Sequence, residues 1–120
     1  ADAVRLFAAE LAKEEAKPKP GWEWLSYYNS YLGLALSKAG QYDKALEFHR
    51  KSLAIKLVKL GKDHPSVAGT YYNMALTYGE LKNVIKKKEL LRKAYAIRIV
   101  KLGKDHPDTK KTKAALDKLQ

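Results

Sequence analysis

Three histidines, His49, His64 and His106, are the side chains of this 120-residue chain best suited to metal binding or proton transfer, and their spacing argues against both roles. His64 and His106 hold the same place in two verbatim copies of one phrase, VKLGKDHP, at 58–65 and 100–107, a spacing of 42 residues. His49 stands apart in a different stretch. No HExxH pair, carboxylate cluster or glycine-rich phosphate loop accompanies them. There is no cysteine, which excludes disulfides, thiol nucleophiles and thiolate-bound metals. The residues therefore point to a chain that is no enzyme, with no cofactor and no metal.

Binding is the chemistry that remains. The net charge is +11, and from Lys82 onward 13 Lys and Arg face four acids, so +9 of it lies in the last third. Such asymmetry raises the question of nucleic acid or an acidic partner. The basic residues, however, are 20 Lys and four Arg. Lysine is a strongly hydrated point charge, whereas arginine supplies the bidentate grip on phosphates and base edges. The aromatic residues lie mainly in the first half, away from that charge, so no stacking platform for single strands forms. Nucleic acid is expected to bind only nonspecifically and at low salt. No apolar run approaches the ~20 residues of a spanning helix, and no signal-peptide core opens the chain. The expectation is a soluble protein without a membrane partner, cytoplasmic if natural, since the missing cysteines fit a reducing compartment.

The elements that must position these side chains follow from the repeat. Over 41–65 and 83–107, 14 of 25 positions match. A period in this range marks units that bury their apolar faces by stacking on neighbours. Leu25, Tyr28, Leu32, Ala35, Leu36 and Ala39 form one helical stripe; Ala45, Leu46, Phe48, Leu53, Ile55, Leu57 and Leu60 form another, with a turn at Gly40-Gln41. Gly61 is a helix stop, Pro65 a first helical residue, and Asp63 or His64 the cap between them. The phrase VKLGKDHP thus punctuates the repeat.

The second unit runs from Pro65 to about Leu81, turns near Lys82-Asn83 and continues to Leu102. In front, 2–17 is a helix ended by Lys17-Pro18-Lys19-Pro20-Gly21; behind, 107–119 is a polar closing helix that reads as a solubilising cap. Shifted by 42, Ala3, Leu6 and Leu11 fall on Ala45, Phe48 and Leu53. The prediction is an all-α, six-helix antiparallel helix-hairpin array forming a single domain. Its parts are a half-repeat and linker (1–21), repeat 1 (22–62), repeat 2 (63–104) and a capping helix (105–120).

Leu32-Gly33, Gly40, Tyr42, Ala45-Leu46 and Leu53, echoed by Met74-Ala75, Tyr78 and Ala94, resemble the tetratricopeptide repeat. The 42-residue period with LGKDHP resembles the long variant of kinesin light chains. The resemblance implies a right-handed solenoid whose first helices line a concave groove for peptides. Carried onto this chain, that groove maps to Tyr27, Ser30, Tyr31 and Leu34, then Tyr72, Asn73 and Leu76. Asn73 takes the place from which the family grips a peptide backbone, and Lys111 the place of a carboxylate-gripping lysine. Other members of that clamp are replaced: Ser30 and Leu34 stand for polar partners, Ala115 for a basic one.

Lys87 and Lys88 stand where Ala45 and Leu46 pack in the first unit. Either that helix is rotated or splayed, or both lysines snorkel. Lys82 replaces the turn glycine, which leaves a bent continuous helix open. Trp22 and Trp24 cannot share one helix face, so one packs under the opening helix while the other is partly exposed.

Two functions fit. One is a scaffold engineered from repeat pieces, with no evolved ligand and no required partner, supported by the verbatim phrase, the capped end, the alanine-rich opening helix and the missing thiols. The other is a natural interaction module that takes a peptide or acidic protein segment.

Overall fold

The computed structural model describes residues 2–119. They form six α-helices, α1 (Asp2–Glu15), α2 (Trp22–Lys38), α3 (Tyr42–Leu60), α4 (Pro65–Glu80), α5 (Val84–Lys101) and α6 (Pro107–Asp117), with no strand among the described residues. Two compact units divide at Lys59/Leu60: α1 to α3, and α4 to α6. No helix is long and apolar enough to cross a membrane.

The repeated phrase acts at the backbone. Gly61 and Gly103 take left-handed φ values of 88° and 87°, releasing each chain from its helix. Each histidine then caps the next helix. Nδ1 of His64 accepts from the Ser66 N–H at 3.0 Å, and Nδ1 of His106 accepts from the Asp108 N–H at 3.0 Å. The cap is therefore histidine, not Asp63, and both imidazoles are spent on structure. Proline follows in each case, where a missing N–H costs nothing. The turn between α4 and α5 breaks the helix fully. Lys82 sits at φ 64° where Gly40 sits at 81°, so no bent continuous helix runs through.

In the first unit, Leu11, Leu32, Leu36 and Ala45 form the core, with Val4, Phe7, Leu25, Tyr28 and Phe48 packed around them. The proline linker is tied down by Glu14, whose carboxylate accepts from the Gly21 N–H and from the Lys17 ammonium, both at 2.9 Å. The Gly21 bond above all, then the Lys17 bond, hold the Glu14 carboxyl below its ordinary range.

The α2–α3 seam, by contrast, is polar. Ser52 Oγ donates to the Ser26 carbonyl at 3.0 Å and lies 2.6 Å from Ser30 Oγ. One turn along, the His49 ring lies against Gly33: a β-carbon there would sit 2.7 Å from Cε1 and 2.8 Å from Nδ1. His49 is fully buried, and neither ring nitrogen has a hydrogen-bond partner. Burial first, and the charge of Lys56 second, push its pKa down to about 4. It is a neutral core imidazole.

The second unit carries the same seam in apolar form. Ala68, Ala75, Leu91 and Ala94 stand at the positions of Ser26, Gly33, His49 and Ser52, and all four are fully buried. Its core starts one turn late on α5, at Leu90 and Leu91, because Lys87 and Lys88 displace the apolar pair. Both lysines are half-buried, and Lys87 Cδ and Nζ lie 3.0 Å from where a β-carbon on Gly79 would be. The glycine leaves the groove that the lysine stem occupies, which is snorkelling rather than a charge in the core.

The closing helix α6 buries Thr109, Thr112 and Leu116. Thr109 Oγ1 donates to the Arg98 carbonyl at 3.2 Å, and Arg98 Nη1 donates to Thr112 Oγ1 at 2.8 Å. Hydroxyls, each with a partner, replace the apolar stripe that a docked helix ordinarily shows.

Candidate peptide-binding faces

Each unit presents a polar or aromatic face, and the residues expected to line a groove divide between the two. On α2, Trp24, Tyr27 and Tyr31 recur at helical spacing and are all exposed. The rings touch in series: Tyr27 to Tyr31 at 4.5 Å, Tyr27 to Trp24 at 5.9 Å, and Tyr31 to Phe7 of α1 at 5.4 Å between centroids. Trp24 also stacks on Tyr28 at 5.8 Å. Of the two tryptophans, Trp22 is half-buried and Trp24 exposed, as the two-residue spacing requires.

Ser30, by contrast, spends its hydroxyl on Ser52 inside the seam, and Leu34 is half-buried. The α2 face is therefore aromatic, its polar groups being the phenol oxygens of Tyr27 and Tyr31 and the indole N–H of Trp24.

On α4, Tyr72 and Asn73 are half-buried and Leu76 is exposed. No side-chain hydrogen bond engages Asn73 among the described residues, so its amide keeps both donor and acceptor. Two cations meet Tyr72: Lys111 Nζ lies 4.8 Å from the ring centroid and Arg98 Cζ lies 5.1 Å from it. Burial lifts the Tyr72 phenol above its ordinary value, against the opposing pull of Arg98.

Arg98 is only 6% exposed. Among the described residues no carboxylate stands within ion-pair distance of it, although Asp108 is near enough to favour its charge. Burial lowers its pKa, but a guanidinium stays charged. Thr112 accepts one of its five donors, and the ring of Tyr72 screens part of the rest. A nearly buried cation that shares an aromatic ring with an exposed lysine is an arrangement able to hold an anion.

The expected residues thus gather into two clusters, Tyr27 with Tyr31 and Tyr72 with Lys111, while Asn73 and Leu76 extend the second along α4. Arg98 escaped the sequence reading. Its signal was the 42-residue shift, which aligns it with Lys56 and so places a long cation on the packed face of both second helices. Among the described residues no group of three metal-binding side chains assembles.

Helix hairpins of this size, recurring every 42 residues, define an all-α helical-repeat protein. Tetratricopeptide-repeat models match residues 25–86 and 67–108, and the chain belongs to the tetratricopeptide repeat family.

Among solved structures, a kinesin light chain-like protein of Podosopora anserina with nearly identical TPR-like repeats aligns over 98% of this chain at 24% identity and a TM-score of 0.88. BtubC (BKLC) from P. vanneervenii aligns over 98% at 20% identity and a TM-score of 0.86. The likeness is one of fold, and the chain spans 56% and 46% of those two proteins' lengths. No curated protein matches it.

Proposed function

We propose that this chain is a non-enzymatic interaction scaffold whose α4 face takes an extended peptide bearing a carboxylate. The observation that carries the reading is the nearly buried Arg98, without a carboxylate at ion-pair distance among the described residues, sharing the Tyr72 ring with Lys111. A carboxylate reaching that ring would supply the direct ion-pair contact that Asp108, acting only from a distance, does not, and Asn73 would pair with the peptide backbone one residue away.

The test is an NMR amide titration with acidic peptides, each made with a free and with an amidated carboxyl terminus. Free-carboxyl peptides should produce saturable shifts at Tyr72, Asn73 and Lys111. Asn73→Ala and Lys111→Gln should each weaken binding about tenfold, the value of one charge-assisted or paired hydrogen bond. Equal affinities for wild type and both variants would remove the assignment.

A second reading, a fold-only scaffold engineered without a ligand, is favoured by Ser30, whose hydroxyl is turned into the seam instead of toward a peptide. A dispersed spectrum that no peptide moves would select it.

A further inference from the structure

The two hairpin turns of the repeat stand at equivalent positions and differ in kind. The first reads Ala39-Gly40-Gln41-Tyr42-Asp43-Lys44-Ala45-Leu46, the second Leu81-Lys82-Asn83-Val84-Ile85-Lys86-Lys87-Lys88. Between them an acid is lost, three lysines are gained, and aliphatic side chains appear where they are not buried. Ile85 is 82% exposed, Val84 52% and Leu81 38%.

Each exchange carries a local cost. Lys82 adopts φ 64°, a conformation that glycine takes freely and other residues adopt reluctantly. Lys87 and Lys88 give up the apolar contacts of Ala45 and Leu46, which are buried in the first unit. No acid occupies the first turn of α5, although the positive end of the helix dipole favours one there. Three departures from local preference on a single surface tip indicate a role outside the fold.

We infer that the α4–α5 turn is a docking tip for an anionic membrane surface. Leu81, Val84 and Ile85 would enter the headgroup boundary, and Lys82, Lys86, Lys87 and Lys88 would meet anionic lipid. Lying on a membrane needs no spanning helix, only an exposed apolar patch rimmed by cations. The charges are available. Glu89 reaches Lys86 at 3.7 Å, but Lys82, Lys87 and Lys88 have no carboxylate at ion-pair distance among the described residues.

The chemistry favours lipid over nucleic acid. The exposed side chains are aliphatic and cannot stack on bases, and no arginine lies in the tip to grip phosphates bidentately. The site is separate from the Arg98–Lys111 face and does not depend on its ligand.

The experiment is flotation of the whole chain with vesicles of phosphatidylcholine alone and of phosphatidylcholine mixed with phosphatidylserine, at low and at moderate salt. Binding should require phosphatidylserine and weaken with salt. Lys82→Gln/Lys88→Gln should cut partitioning about 25-fold, roughly fivefold per charge. Ile85→Ser, at a position too exposed to affect folding, should cut it several-fold and leave circular dichroism unchanged.

Equal recovery on both vesicle types, or recovery on neither, overturns the proposal. So does phosphatidylserine binding that Ile85→Ser leaves intact. A short DNA duplex bound at moderate salt and indifferent to Ile85→Ser would assign the tip to nucleic acid instead.

Discussion

Replacing His49 by leucine, the residue that its repeat partner Leu91 already supplies, should make the protein more stable, and by an amount that grows as the solution becomes acidic. The imidazole is sealed between α2 and α3 with both nitrogens unpaired. At neutral pH the cost is that of a buried, unsatisfied polar group, about 1–3 kcal/mol. A second cost appears in acid. With a folded pKa of about 4 against 6.5 unfolded, the unfolded chain takes up a proton as pH falls below 6.5 and the native chain does not.

More protons on the unfolded state means that stability rises with pH through this window. The contribution is flat above about pH 7, and on acidification it is lost from pH 6.5 down to about 4. At pH 5 the loss is on the order of 2 kcal/mol, and it levels off near 3 kcal/mol. The assay is urea unfolding of wild type and His49→Leu from pH 7.5 to 4.5. Every group other than residue 49 is common to the two proteins and cancels in the difference. A wild-type-minus-variant difference that stays constant across that range would falsify the burial argument, whatever its absolute size.

Two further outcomes follow from packing and backbone. Gly33→Ala places a methyl 2.7 Å from the His49 ring and should cost about 1–3 kcal/mol in urea unfolding, while Gly33→Ala/His49→Leu, which copies the Ala75 and Leu91 pair, should recover most of it. Lys82→Gly relieves the left-handed conformation at φ 64° and should raise stability by about 1 kcal/mol, seen as a higher Tm in a calorimetric scan.

The architecture was legible because its signals are local. Glycine, histidine and proline in VKLGKDHP dictate a stop, a cap and a start by backbone chemistry alone, and the helices end within a few residues of where that phrase puts them. The conflict at Lys87 was visible too, but its resolution lay across the hairpin at Gly79, where a missing side chain has no period to betray it.

The candidate site was legible only in part for a similar reason. The resemblance names the helix face on which a residue sits, and Tyr27, Tyr31 and Lys111 are exposed and Asn73 half-buried. It does not say which hydroxyls will pair. Ser30 belongs to Ser52 through a 2.6 Å contact between residues 22 apart, and Arg98 reaches Tyr72 across 26. Such pairings depend on three-dimensional placement, which a shift of 42 cannot reveal when the two repeats carry different seams.

That difference between seams bears on how a chain with two near-copies of one helix avoids a swap. Suppose α3 docked on α4 in the place of α5. Its His49 would meet the methyl of Ala75, the same collision that a β-carbon on Gly33 would cause. Its Ser52 would lose the hydroxyl of Ser30 and face the ring of Tyr72. The reverse exchange would strand the Ser30 hydroxyl against Ala94. The buried imidazole and the paired serines, a burden on the finished fold, act during folding as an address that only the intended neighbour can read.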